Sequence, residues 1–493
     1  MLVLSYILVF LYSFCILLLF IYSLAQLNLL INFLKSKNQT DHSPKFDFKN
    51  ANEIPIVTIQ LPIFNEKYVM ERLLLSISKL NYPREKLEIQ VLDDSTDESV
   101  FETKNIINDL QTSGLDIKHI TRKIRTGFKA GALKEGLEIA KGEFIAIFDA
   151  DFLPQEDWLY LTIPYFKDDK IGVVQTRWGH TNRNFSILTK IQAFALDAHF
   201  TLEQVGRNSQ KHFINFNGTA GIWRKECILD AGNWQSDTLT EDLDLSYRAQ
   251  LKNWKFKYLV DVVTPAELPV IISAARSQQF RWNKGGAENF RKMSWRVLTS
   301  KNVPMKTKAH GILHLLNSSL FLIIFLMAIL SVPVLFVKNS FVDLALLFNV
   351  LIFFVLTSVI FFINYWFTFK SIQGGGFKNF LKYIGLFFTF YTIAMGFSFH
   401  NSIAVLEGLL GKKSDFIRTP KFNIESLKDK WKQNTYISKK VSKNVIIEGI
   451  LTLYFLFGIF SGFHLNDFGL MPFHVMLFIG FGFVFIKSLQ VTK

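Results

Sequence analysis

The stretch Phe144-Ile145-Ala146-Ile147-Phe148-Asp149-Ala150-Asp151 decides the fold of this chain. Its apolar run, residues 144–148, predicts a β-strand, and two carboxylates spaced i and i+2 leave the strand's end. Open α/β sheets place their ligands at strand ends. Two carboxylates there can converge on one hard cation, and Mg2+ usually takes one or two carboxylates plus substrate phosphates. Asp149 and Asp151 are therefore the candidate metal ligands. Asp-x-Asp alone also suits a solvated capping turn, so the surrounding sequence has to decide.

Outward from this stretch, short apolar runs at 56–60 and 87–92 alternate with helical patterns at 66–80 and 129–140. The alternation predicts an α/β domain over residues 55–285 with a parallel sheet. Each strand ends on polar groups. Asn65 and Glu66 follow the first run and suit either a helix cap or a base or ribose contact. Asp93 and Asp94 end the second. Lys129-Ala130-Gly131-Ala132 offers a close backbone approach and a point charge for a phosphate. No Gly-x-x-x-x-Gly-Lys-Ser/Thr loop and no Gly-x-Gly-x-x-Gly after a strand is present, which speaks against a P-loop ATPase and a dinucleotide enzyme.

Two later motifs complete a chemistry. Thr240-Glu241-Asp242 supplies Glu241 and Asp242 as candidate catalytic carboxylates, with Asp242 suited to take a proton from an acceptor hydroxyl. Gln278-Gln279-Phe280-Arg281-Trp282 supplies a cation for a departing diphosphate and a flat ring for a sugar. Taken singly, the first reads as a helix cap and the second as an Arg–Trp cation–π pair.

Hydrophobic residues are 49% of the chain and Phe numbers 51, mostly in long apolar runs, which indicates a membrane protein. Residues 1–34 predict an N-terminal transmembrane anchor, and 35–54 a basic linker. Residues 286–308 predict an interfacial amphipathic segment. Spans are expected at 310–337, 341–367, 445–463 and 469–489. The net charge of +14 comes from Lys and Arg flanking apolar segments, not from one aromatic-studded stripe, so nucleic acid is not an expected partner. Basic clusters at 35–49, 291–308, 370–382 and 412–443 place the soluble domain in the cytoplasm of a multi-pass protein of the cell (inner or plasma) membrane. The run 380–410 lies between two basic clusters, so it is expected to be interfacial or re-entrant, leaving five spans, with a sixth ordinary span as the alternative. The two cysteines, Cys15 and Cys227, are expected to be reduced.

The ordered set Asp93/Asp94, Asp149-Ala150-Asp151, Thr240-Glu241-Asp242 and Gln278-x-x-Arg281-Trp282 resembles the processive family 2 glycosyltransferases of the cellulose synthase and hyaluronan synthase type. That resemblance implies a GT-A fold, inversion at the anomeric carbon, and Mg2+ or Mn2+. It implies Asp93 or Asp94 as a nucleotide-binding acid, with Lys129 and Asp149 on the nucleotide sugar. Asp151 becomes the metal ligand proper and Asp242 the base. Gln278, Arg281 and Trp282 become the diphosphate and acceptor site, and Phe216-Asn217-Gly218-Thr219 the acceptor-lining segment. Phe416, Thr419 and Lys421 resemble the family's gating loop, within a cytoplasmic loop 411–443, although Arg418 stands where a small apolar residue is expected. The implied reaction is transfer from UDP-glucose or GDP-mannose to a β-linked glucan- or mannan-like polysaccharide, coupled to export. Transfer of one sugar to a lipid is the alternative, and a transporter with a regulatory soluble domain a remote one. Membrane lipid is the expected surrounding.

Overall fold

The computed structural model describes residues 2–37, 44, 53–414, 416–424, 429, 436 and 443–490. Most of the 35–54 linker and of the 425–443 stretch lies outside them. Seven strands form one sheet: β1 (Val57–Ile63), β2 (Leu87–Asp93), β3 (Asp116–Thr121), β4 (Phe144–Ile147), β5 (Ile171–His180), β6 (Gly221–Arg224) and β7 (Lys255–Ala266). Their order is β3-β2-β1-β4-β6-β5-β7. β3, β2, β1 and β4 run parallel, as do β5 and β7. The expectation of a parallel sheet holds except for β6, which runs antiparallel to both neighbours. The backbone just before it turns at Gly218 (φ 78) and Ala220 (φ 54), and this reverses the chain within a few residues.

β1 and β2 lie inside the domain, and one face of the pair is polar. Thr58 Oγ1 donates to Glu88 Oε2 at 2.6 Å and Gln60 Nε2 to Gln90 Oε1 at 3.0 Å. The helix Phe128–Ile139 rests on this row through Gly136, where a Cβ would stand 2.6 Å from Gln60 Nε2. That helix starts one residue before the expected 129–140. The helix expected at 66–80 is shorter, Met70–Ser78. Its first turn is lost because Asn65 has a left-handed backbone (φ 55) and Glu66 turns to a distant arginine.

Helix Ile272–Thr299 is continuous, so the Gln278–Trp282 motif and the basic stretch after residue 285 share one element. Among the described residues, six helices are long and apolar enough to cross a membrane: Leu2–Ser36, Asn317–Ser340, Leu346–Gln373, Phe377–Leu410, Asn444–His464 and Met471–Gln490. The run expected at 310–337 is divided, because Met305–Leu315 ends at the polar Asn317-Ser318-Ser319 turn. Phe377–Leu409 is one uninterrupted helix, with no chain reversal of the kind a re-entrant loop makes. It binds to helix 272–299 through Asn401 Nδ2 donating to Gln279 Oε1 at 2.8 Å, and Lys284 ion-pairs Glu407 at 3.1 Å. The N-terminal helix is tied to the domain by Gln26 Nε2 donating to Glu203 Oε1 at 2.8 Å.

Close helix crossing in an apolar medium depends on small residues. At Gly480 a Cβ would stand 2.1 Å from Thr392 O, and at Gly396 one would stand 2.2 Å from Gly480 O. Gly480→Val is therefore expected to force helices 377–409 and 471–490 apart. The cost should be about 1–3 kcal/mol, read as a lower midpoint of thermal unfolding in detergent. An unchanged midpoint would show that the two backbones do not touch.

Candidate active site

The site is assembled where β4 ends. Phe148 is fully buried and fixes the chain before the carboxylates emerge. The Asp149 N–H donates to Thr219 Oγ1 at 2.9 Å, pinning the strand end to the 216–220 turn. Lys129, at the start of its helix, donates to Asp149 Oδ1 at 2.6 Å and to Gly218 O at 2.9 Å. Asp151 is buried, and its Oδ2 accepts from Lys421 Nζ at 2.7 Å and from the Glu267 N–H at 3.1 Å. The two carboxylates of the Asp-x-Asp pair are thus each met by a lysine from a different part of the chain.

Glu241 and Asp242 open the helix Glu241–Leu251. Thr240 precedes them, but its side chain does not cap the helix; its Oγ1 instead accepts from Asn289 Nδ2 at 2.9 Å. The motif is therefore held by helix 272–299, not by its own cap. Asp242 Oδ1 accepts from the Leu243 N–H at 2.8 Å. Desolvation and the adjacent Glu241 carboxylate push the Asp242 carboxyl up to about 7, against the pull of Lys129. Desolvation also raises Glu241, with Lys129 opposing it. A carboxyl poised near neutrality is suited to general base work.

Arg281 comes from the same helix 272–299, which also carries Gln278 and Trp282, three to four residues apart and so on one face. Its Nη2 donates to Thr419 Oγ1 at 2.9 Å, and its guanidinium lies 4.6 Å from the Phe416 ring centre. The cation–π partner is Phe416 and not Trp282. Trp282 and Gln278 are half-buried. Phe416 also stacks on Phe128, with ring centres 5.8 Å apart. Residues 416–424 therefore form a strap over the site, and Phe416, Thr419 and Lys421 all reach it. Arg418 reaches it too, pairing with both Glu66 oxygens at 2.8 and 2.7 Å.

The acids at the end of β2 are committed to internal partners. Asp93 accepts from the Ser95 N–H at 2.9 Å and contacts His119 Nε2 at 2.8 Å. Asp94 holds Arg122, whose Nη1 and Nη2 also bind the carbonyls of Thr126 and Phe128. Asn65 bridges the loops after β1 and β2, since the Thr96 N–H donates to its Oδ1 at 2.8 Å. The basic residues before Lys129 include Arg125, whose guanidinium lies 3.4 Å from the Phe64 ring centre, while Glu267 was not foreseen from the sequence. Neither sits in a motif of its own.

No group of three or more His, Cys, Asp or Glu side chains able to hold a metal occurs among the described residues. The donor set at the strand end, Asp149 and Asp151, is hard and anionic. It fits an octahedral cation that brings phosphate oxygens and water with it, which needs no closed protein cage.

Residues 55–285 match the family described as "Glycosyltransferase like family 2". A probable glucomannan 4-beta-mannosyltransferase of Oryza sativa subsp. japonica is 43% identical over 263 residues, covering 52% of this chain and 45% of that protein. A glucomannan 4-beta-mannosyltransferase of Cyamopsis tetragonoloba is 39% identical over 296 residues, covering 58% and 56%. The chain thus spans about half the length of these relatives. Among solved structures, a mannosyltransferase from Pyrobaculum calidifontis in complex with GDP-Man and Mn2+ superposes with a TM-score of 0.51 at 19% identity. The match covers 80% of this chain and all of that one. That likeness shows the fold, a GT-A-like mixed sheet.

Gly218 is constrained by both its backbone and its neighbours. Its φ is +78, and a Cβ there would stand 3.0 Å from Asp242 Oδ2 and 3.5 Å from Lys129 Nζ. Gly218→Ala should both strain the turn and intrude between base and lysine. The expected result is a loss of at least about tenfold in kcat in a protein that still folds. Wild-type kcat would show that the space between Asp242 and Lys129 is not used.

Proposed function

Proceeding from a family 2 glycosyltransferase domain in residues 55–285, we propose that the chain adds mannose from GDP-mannose to a growing β-linked polysaccharide, with inversion, at the cytoplasmic face of the cell membrane. The observation that carries this reading is the Asp242 carboxyl, poised near neutrality across Gly218 from Lys129 and the Asp149/Asp151 pair. Of the two donors the sequence leaves open, the mannosyltransferase names of the relatives favour GDP-mannose.

Chemically, the acceptor hydroxyl loses its proton to Asp242 as its oxygen attacks the anomeric carbon. The bond from that carbon to the diphosphate breaks, and the new bond forms on the opposite face. Lys129, Arg281 and Lys421 supply positive charge where the diphosphate gains negative charge. Asp149 and Asp151 would hold Mg2+ or Mn2+, which when bound adds further neutralisation of the diphosphate. Lys421 sits on Asp151 in this structure, so it is placed to pass from the carboxylate to the diphosphate when donor arrives. Trp282 offers its ring to the acceptor sugar.

A topological argument supports the membrane arrangement. The 416–424 strap touches Asp151, Glu66 and Arg281, so it lies on the same side of the membrane as the catalytic domain. The chain between residues 285 and 416 must then cross an even number of times. It contains three candidate helices, so at least one does not cross. Helix 377–410 is the least apolar of the six and is bound along helix 272–299. We take it as the interfacial one, which leaves five spans. Trp295 and Met305, both more than 70% exposed, suit contact of the preceding segment with the membrane surface.

Asp242→Asn is expected to lower kcat by about 10²–10⁴-fold while GDP-mannose binding is kept. Undiminished turnover would remove Asp242 as the base. In the wild type, kcat/KM should fall as pH drops through about 7, because protonation of Asp242 removes the base. A flat profile from pH 8 to 5 would contradict the assignment. Accessibility reporters at Gly375 and Lys412 should both read cytoplasmic. Opposite sides for the two would show that helix 377–410 crosses.

A further inference from the structure

Glu267 follows β7 directly, is 3% exposed, and belongs to none of the motifs above. Its backbone and its side chain face two different parts of the site. The backbone N–H donates to Asp151 Oδ2 at 3.1 Å. The carboxylate accepts two backbone N–H groups of the strap, Phe422 at 2.8 Å on Oε1 and Ile424 at 3.3 Å on Oε2. The residue between the two amides, Asn423, adopts a left-handed backbone (φ 58). Non-glycine residues hold such a conformation where the surroundings over-determine it. Here the surroundings are also apolar: Phe422 and Ile424 are buried against Val270, Ile271 and Ala274. Arg72 Nη2 lies 3.8 Å from the same carboxylate and Lys421 precedes the paired amides in sequence, and both cations oppose the burial that pushes the Glu267 carboxyl up.

We infer that Glu267 is a positioning residue that fixes the 416–424 strap in register with Asp151, so that strap placement and metal-site geometry are set together. The inference rests on reading the strap as part of the donor site. Two amides of residues i and i+2 need two acceptor atoms. A carboxylate has them, whereas a glutamine offers one acceptor and turns an NH2 toward the second N–H. Loss of that register moves Lys421 and Thr419 away from Asp151 and Arg281 without touching either catalytic carboxylate.

The test reads strap placement without any sugar donor. Thr419, 3% exposed, is replaced by Cys in the full chain in detergent, and its rate of reaction with a maleimide is measured. The native Cys15 and Cys227 are both buried, which keeps the background low. Adding Glu267→Gln should raise that rate about tenfold, the scale of one lost hydrogen bond to a charged acceptor. In the otherwise wild-type chain, Glu267→Gln should raise the KM for GDP-mannose and the Mn2+ concentration needed for half-maximal rate by about tenfold each, with a smaller change in kcat. Glu267→Asp, which keeps two acceptors, should recover part of both effects. If Glu267→Gln does not fold, Asn423→Val decides, because Asn423 is exposed and a β-branched residue disfavours its backbone. It should give the same faster labelling. A folded Glu267→Gln or Asn423→Val protein with wild-type labelling would overturn the inference. Faster labelling with no GDP-mannose turnover in any form of the protein would leave the strap register standing and overturn the proposed reaction.

Discussion

Four carboxylates, Asp149, Asp151, Glu241 and Asp242, share one cleft at the end of β4, and their mutual repulsion is the constraint on which the rest of the site depends. Like charges brought out of water together must be compensated or protonated. The compensation comes from Lys129 after β3, Arg281 in the long helix that follows β7, and Lys421 in the strap between helices 377–409 and 444–464. Three cations from three distant parts of the chain close on one anionic cluster. The catalytic domain and membrane region are therefore joined at the site itself. Burial and the neighbouring Glu241 carboxylate push the Asp242 carboxyl up to about 7, against the pull of Lys129.

This arrangement gives each acid a different task. Asp149 and Asp151 are each paired with a lysine at hydrogen-bond distance, and on the proposed reading they exchange those partners for a cation and a diphosphate. Asp242 is separated from Lys129 by the space over Gly218, a gap that a single methyl group would close. On the proposed reading, two pairs of carboxylates in one cleft are divided into charge holders and a base by their environments.

Much of this was legible in the sequence because strand ends carry their chemistry locally. The apolar run 144–148 announced a strand with Asp149 and Asp151 at its end, and helix 128–139 came within a residue of its expectation. The motifs at 240–242 and 278–282 named the right elements, yet their local readings were incomplete. Thr240 is held by Asn289, and Arg281 stacks on Phe416, a residue more than a hundred positions away. β6 escaped notice because its direction is fixed by pairing with β4 and β5, which are distant in sequence, and not by a local pattern. Arg418 looked like a departure from pattern in a one-dimensional reading. In three dimensions it finds Glu66, and that pairing also explains why the helix expected from residue 66 begins at Met70. Glu267 had no signal at all, since what it binds is backbone.

The central claim is that this cleft transfers mannose from a nucleotide donor into a polymer, and sizing the product tests it most directly. Purified protein in membranes with Mn2+ would be given radiolabelled GDP-mannose and UDP-glucose separately, and the products separated by size and digested with β-mannanase. The account predicts that label from GDP-mannose enters long, β-mannanase-sensitive chains. Label that stops at a single sugar on lipid, or polymer made only from UDP-glucose, would contradict it.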